Sequence, residues 1–340
     1  MPNGYTRASV RSCGEGAAEL WAAVLSEHER RGANDQPWSI GEVRQVYDRS
    51  AYIELHRDAI DGFEPLGPPL VLLAGEGFDG PLATRLAGSG RDVISRELDR
   101  GRPCRLRTAA GNHAEARYVL RLGETIDVEL EAASLETMER DTPQCPALTE
   151  ITPQGPNYNR AAETVQLLRD GDREDGLGWL GPLDDLATGG IARTEPRSLI
   201  EWWVAYLQGC ADGRPPIDLL GRGPGATPSG DDILAGLLLA LYRTTSRQRH
   251  ERVRDAGRAL VAAAAERTTA ISAALLAQAA QGRAGGRFDA ALGSILAAEP
   301  DQTDWQPAVF EAAELGHTSG LDHLVGLLLA VLGIAPEITD

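Results

Sequence analysis

The chain of 340 residues carries 33 basic side chains, every one an arginine, against 50 carboxylates, for a formal net charge of -17. Without lysine, Schiff-base chemistry, a Walker-type phosphate lysine and a kinase-type ATP lysine are all excluded. The acidic balance argues against a nucleic-acid partner, which calls for a basic face, while a local arginine cluster leaves small anionic ligands open. Surplus acid without lysine suits a protein working in high salt, and GC-rich codon usage accounts for it equally well.

Length points to two domains, and a hydrophobic content of 42% is enough to build their cores. Met1 to Gly16 is polar and shows no apolar h-region, so no signal peptide is expected. The longest apolar run, Leu324 to Ala335, is 12 residues, against the roughly 20 that a membrane span needs. Cys13, Cys104, Cys145 and Cys210 are scattered with no C-x-x-C pair, a pattern of reduced thiols and not of a zinc site. The expectation is a cytoplasmic protein with no membrane contact and no metal or other cofactor.

In chain order, one helical stretch, Ala17 to Arg31, precedes strands and turns. Strand candidates are Val43–Tyr47, Ala51–Leu55 and Leu70–Leu73, then Arg117–Leu122 and Thr125–Leu130 around Gly123-Glu124, a two-residue hairpin signal. Ile126, Val128 and Leu130 alternate with polar residues, so one face of that last strand is buried. Residues 1–141 therefore read as a mainly antiparallel β-rich domain. Four prolines within 142–156 mark a linker. Residues 157–340 turn to Ala- and Leu-rich helices: Arg160–Arg169, Ser198–Cys210, Asp232–Arg243, Glu251–Gln281, Ala290–Ala298, Trp305–Leu315 and Asp322–Leu332. Arg267-Thr268-Thr269 marks either a break or a polar face in the long fourth helix. The class is α+β.

Within the helical half, residues 228–241 align with 318–331 at an offset of 90, and nine of the 14 positions are identical. Each copy has S-G-x-D ahead of a leucine-rich helix, a ~90-residue pseudo-repeat. The pattern reads plainly as a capping box, with Ser229 or Ser319 as N-cap and Asp232 or Asp322 at N3. Capping explains neither Asp231, nor His317-Thr318, nor the loop Gly221 to Gly230 with its four glycines. Gly236 and Gly326 each cost about 1 kcal/mol in a helix relative to Ala. A close helix crossing accounts for them and would bring both helix starts to one cleft.

Loop N–H groups of Gly223, Gly225 and Gly230, ending at a helix N-terminus, can receive a phosphate or carboxylate, with Arg222 as the charged partner. Asp231 and Asp232 suit amide donors, a metal ion or general-base work. Arg267, Thr268 and Ser272 form a polar stripe that either lines a cleft or faces solvent. His317 and His323 flank the second helix start.

Three segments, G-R-G-P-G-A-T-P-S-G-D-D (221–232), R-T-T-A-I-S (267–272) and L-G-H-T-S-G-L-D (315–322), resemble the signature of the AllH family, a subunit of the oxamate carbamoyltransferase of allantoin catabolism. Ala226 stands where a larger apolar residue is usual. The resemblance implies a partner-dependent enzyme that moves a carbamoyl group between carbamoyl phosphate and oxamate, with oxalurate and phosphate as the other pair. In that setting Asp231, Asp232, Thr227, His317 and Asp322 are the candidates for chemistry. Arg222, Gly223, Gly225, Ser229, Gly230, Arg267, Thr268, Thr318 and Ser319 are the candidates for binding the small anionic substrates. Other subunits of the complex are the expected partners. A non-catalytic scaffold or anion-binding subunit is the alternative, and a hydrolase or metal-dependent enzyme using Asp231 and Asp232 a third.

Overall fold

The computed structural model describes residues 6–32, 37–47, 50–74, 80–87, 94, 98–108, 117–124, 126–131, 144–171, 175–188, 195–211, 213, 215–297 and 305–338. Met1–Tyr5, Thr125, Thr142, Pro143 and Ala298, which the sequence reading covers, lie outside them. The chain divides into two compact units, Met1–Arg140 and Asp141–Asp340.

The first unit is a closed barrel with strand order β1-β5-β4-β3-β2-β6-β7-β8. Its strands are β1 (Thr6–Cys13), β2 (Trp38–Tyr47), β3 (Ser50–Leu55), β4 (Leu70–Ala74), β5 (Ala83–Ala87), β6 (Pro103–Thr108), β7 (Arg117–Leu122) and β8 (Ile126–Glu131). The joints are antiparallel except β1–β8 and β4–β5. Eight strands leave an interior that side chains just fill. Ile53, Leu106, Leu120, Val128 and Leu130 occupy it, and helix α1 (Glu15–Arg30) adds Leu20, Trp21 and Val24 to the same core. The Trp21 indole donates to Thr84 Oγ1 at 2.8 Å, satisfying its one polar atom inside that core.

Sequence periodicity misses β1, the strand that closes the ring. A bulge between Val10 and Ser12 shifts its register, so buried Ala8 and Val10 are followed by buried Cys13 and the period of two is broken. The β7–β8 hairpin differs from expectation by one residue. Leu122 pairs with Ile126, so the loop holds three residues, with Gly123 at φ +60°. On β8, Asp127 is buried but receives two hydrogen bonds from Arg121, at 2.8 and 2.9 Å.

The second unit is helical: α2 (Pro156–Asp170), α3 (Leu180–Ala187), α4 (Glu195–Leu207), α5 (Ser229–Thr244), α6 (Arg247–Arg267), α7 (Ala270–Ala279), α8 (Gly286–Leu296), α9 (Gln306–Ala313) and α10 (Ser319–Leu328). Pro156 belongs to the first turn of α2 and not to a linker, because its missing N–H is one that a helix start leaves unpaired anyway. Helix α3 was hidden by its shortness, and the expected Glu251–Gln281 helix is two, broken at Thr268. Past Leu328 the chain continues through a π-helical turn (Leu329–Ile334) into Glu337. The resulting 19-residue run is long and apolar enough to cross a membrane by length and composition, unlike the 12-residue stretch read from sequence, and 89% of its 18-residue apolar window is buried inside the protein.

Helices α5 and α10 form the centre of this unit. A Cβ on Gly236 would lie 1.9 Å from the His323 carbonyl oxygen, and one on Gly326 would lie 1.9 Å from the Ile233 carbonyl oxygen. The two contacts exchange under the 90-residue offset, 236 with 326 and 233 with 323. Each backbone thus seats against a glycine of the other, the close approach for which those glycines are needed.

Candidate functional site

The crossing sets the two helix starts side by side, as the hydroxyls of Thr227 and Ser319 show at 2.8 Å from each other. The capping box does not form. Pro228 and Thr318 hold the N-cap positions, and neither helix receives a side-chain cap. The extended backbone of Pro228 (ψ 141°) makes Ser229 the first helical residue, and its hydroxyl packs at Gly176 and Gly223 instead.

The paired aspartates of α5 have different fates. Asp231 is 1% exposed and its carboxylate is fully engaged: Oδ1 accepts from the Gly221 N–H at 2.9 Å, and Oδ2 from the hydroxyls of Ser272 at 2.7 Å and of Thr268. It ties the glycine loop to the start of α7 and has nothing left for a substrate. Asp232 is 7% exposed, and its Oδ2 has no hydrogen-bond partner among the described residues. Burial pushes its carboxyl well above the usual carboxylate range. The hydroxyls of Ser319 and Thr227 pull back down, while the charges of Asp322 and Asp231 push further up.

Asp322, fully buried on α10, accepts the Gly176 N–H on Oδ1 at 2.8 Å and leaves Oδ2 without a partner among the described residues. Two desolvated carboxylates, each with one buried oxygen that has no partner among the described residues, therefore sit beside two hydroxyls. Burying such groups unpaired is costly, and they commonly mark places where a ligand completes the set.

The loop supplies donors. Its backbone bends through 223–227 without a hydrogen-bonded turn, and the N–H groups of Gly223, Gly225, Ala226 and Thr227 find no acceptor among the described residues. Gly223 and Gly225 take φ of +109° and +99°, a region that side chains other than glycine's rarely allow. Gly230 is accounted for otherwise, since its N–H donates to the Arg222 carbonyl at 2.9 Å and its α-carbon abuts the Leu219 carbonyl.

The remaining predicted residues lie further from this centre. Arg222 is exposed, and its guanidinium is held by Glu195 at 2.6 Å instead of turning to the loop. Arg267 and His317 are exposed, and Thr318 is half-buried. Thr268 is spent on Asp231, and Thr269 caps α7 by accepting the Ser272 N–H at 3.0 Å while donating to the Ala226 carbonyl. The polar stripe is therefore a junction between α6 and α7 that braces the loop. His323 turns away, stacked on Phe288 at 3.8 Å, and burial lowers its pKa to about 3. Among the described residues, no three His, Cys, Asp or Glu side chains are grouped as a metal site.

Sequence reading missed Asp175 and Gly176 altogether. The available signal was D-G-L-G-W-L (175–180), an aspartate and two glycines ahead of a helix start.

No solved structure matches the chain. Residues 219–331, which contain all three signature motifs and both helix starts, match the family model of AllH, described as oxamate carbamoyltransferase subunit AllH.

Proposed function

We propose that this chain is a subunit of a complex that transfers a carbamoyl group between carbamoyl phosphate and oxamate, and that the paired starts of α5 and α10 are its contribution to the active site. The observation that carries the reading is the pair of buried carboxylates, Asp232 and Asp322, each with an oxygen that has no partner among the described residues, at helix starts that follow on from a loop whose N–H groups find no acceptor there either. Carbamoyl phosphate and oxamate both combine an anionic end with amide hydrogens, and such a site offers donors for the first and acceptors for the second. In the direction of oxalurate, the oxamate nitrogen attacks the carbamoyl carbon. The new N–C bond forms, the C–O bond to phosphate breaks, and phosphate leaves carrying the electron pair. Asp232 takes the proton that nitrogen loses, and a carboxylate with raised proton affinity is the better base for that task. The Thr227–Ser319 hydroxyl pair faces the developing oxyanion, and the N–H groups of Gly223, Gly225 and Ala226 hold phosphate.

One observation favours a shared site over a self-sufficient one. Arg222, the cation nearest the loop in sequence, is neutralised by Glu195, so balancing two anionic substrates falls to Arg267 or to a partner subunit. The test is reconstitution with partner subunits and measurement of phosphate-dependent cleavage of oxalurate. Asp232→Asn should lower turnover about 100-fold or more, while binding to the partners is retained. Full turnover in a folded Asp232→Asn complex would leave the chain as a scaffold.

A further inference from the structure

The Asp322 carboxylate is oriented by a single hydrogen bond among the described residues, from the Gly176 N–H at 2.8 Å. Gly176 lies outside the segment that matches the AllH model, and 146 positions from Asp322 in the chain. Nothing else among the described residues anchors the carboxylate: Oδ2 is buried without a partner there. Rotation about the bond to a carboxylate is soft, so one donor decides which way both oxygens point.

The donor is itself held. Asp175, buried at 7% exposure, accepts the N–H of Trp179 at 2.8 Å on Oδ1 and of Leu180 at 2.6 Å on Oδ2. Both oxygens are used to fasten the turn to the first residues of α3. The turn also presses on the other helix start. A Cβ at position 176 would fall 1.8 Å from Ser229 Oγ and 3.1 Å from Asp322 Oδ2, so only glycine lets the backbone come in far enough to reach Asp322. Burial raises the pKa of Asp175, the N–H bonds from Leu180 and Trp179 pull it back, and the charge of Asp322 adds a smaller push upward.

Resting on the carbamoyltransfer reading, we propose that Asp175 and Gly176 form a third arm of the site, in which Asp175 is a positioning residue that holds the Gly176 N–H against Asp322 and thereby aims the open oxygen of Asp322 at substrate. The arm does not touch the reacting atoms. It acts through Asp322, and its loss should be felt in the chemical step and not in substrate capture.

The test has an arm that needs no activity. Amide hydrogen exchange on the full chain should show Gly176 protected, and Asp175→Ala should speed its exchange about 10-fold or more while the amides of α5 and α10 keep theirs. Asp175→Asn, which retains an acceptor, should fall between the two and serves if the alanine variant does not fold. In the reconstituted complex, Asp175→Ala should lower kcat about 10-fold or more with KM changed less than about twofold. In an Asp322→Asn background the same substitution should add almost nothing, because the residue it acts through is already changed. Unchanged Gly176 exchange in folded Asp175 variants overturns the proposal whatever the activity. Faster exchange with normal kcat overturns the functional half of it. Faster exchange in a reconstituted complex that has no carbamoyl transfer even as wild type confirms the anchoring of Asp322 and removes the carbamoyltransfer reading instead.

Discussion

Asp231 and Asp232 are adjacent in sequence and alike in chemistry, yet a rotation of about 100° along the helix separates a saturated carboxylate from an open one. Asp231 spends its oxygens on three donors and braces the loop; Asp232 keeps one oxygen bare in a desolvated setting. A buried carboxylate oxygen without a partner costs stability, so Asp232→Asn should stabilise the protein at pH 8 by roughly 1–2 kcal/mol and, on the carbamoyltransfer proposal, reduce turnover. Because the folded-state pKa of Asp232 is raised, its favourable contribution is complete below the unfolded value of 3.8 and is lost as pH rises through the folded one. The stabilising effect of the asparagine should therefore shrink as pH falls toward 4, and urea unfolding across that range measures it. His323 follows the opposite sign. It stays neutral when folded, with its pKa lowered from 6.5 to about 3, so its contribution is intact above 6.5 and declines as pH falls toward 3. His323→Leu should flatten the acid limb of the stability curve below pH 6.5, and an unaltered limb would assign the acid sensitivity elsewhere.

At the scale of elements, the crossing of α5 and α10 decides the site. A methyl group at either glycine would meet a carbonyl oxygen at 1.9 Å, an overlap that the roughly 1 kcal/mol helix-propensity gain of alanine does not offset. Gly236→Ala and Gly326→Ala should each destabilise by about 2 kcal/mol or more. The double variant should cost less than the sum, since the helices are already apart after the first change. Strict additivity in chemical unfolding would mean that the two contacts are independent. Periodicity in the sequence was sufficient to find both helices and to pair their glycines. Their polar starts were legible as special but misassigned: S-x-x-D reads as a capping box, whereas Pro228 and Thr318 take the cap positions and free the side chains for contacts across the unit.

On the scale of the whole molecule, each unit carries its own core. The barrel cluster runs from Ala8 to Leu130, and α5 and α10 are buried along nearly their full length in the other unit. A fragment spanning 141–340 should accordingly retain helical far-UV circular dichroism and unfold cooperatively on heating. A fragment without a cooperative transition would show that the helical unit needs the barrel to fold.

Composition, alternation and turn signals by themselves determined the α+β class, the strands β2, β3, β4, β7 and β8 and the three motifs, because those features are written in local chemistry, whereas β5, β6 and the choice of a break over a polar face at Thr268 were not legible there. Absence of lysine already required that any anion be met by backbone N–H groups, hydroxyls or arginine. Which of these are available was decided only in three dimensions. Glu195 occupies Arg222, Ser272 and Thr268 occupy Asp231, and the N–H groups of Gly223, Gly225, Ala226 and Thr227 have no acceptor among the described residues. The closure of the barrel by β1 and the reach of Gly176 to Asp322 were likewise beyond sequence, since a bulge erases the period and a 146-residue separation leaves no local trace of the contact.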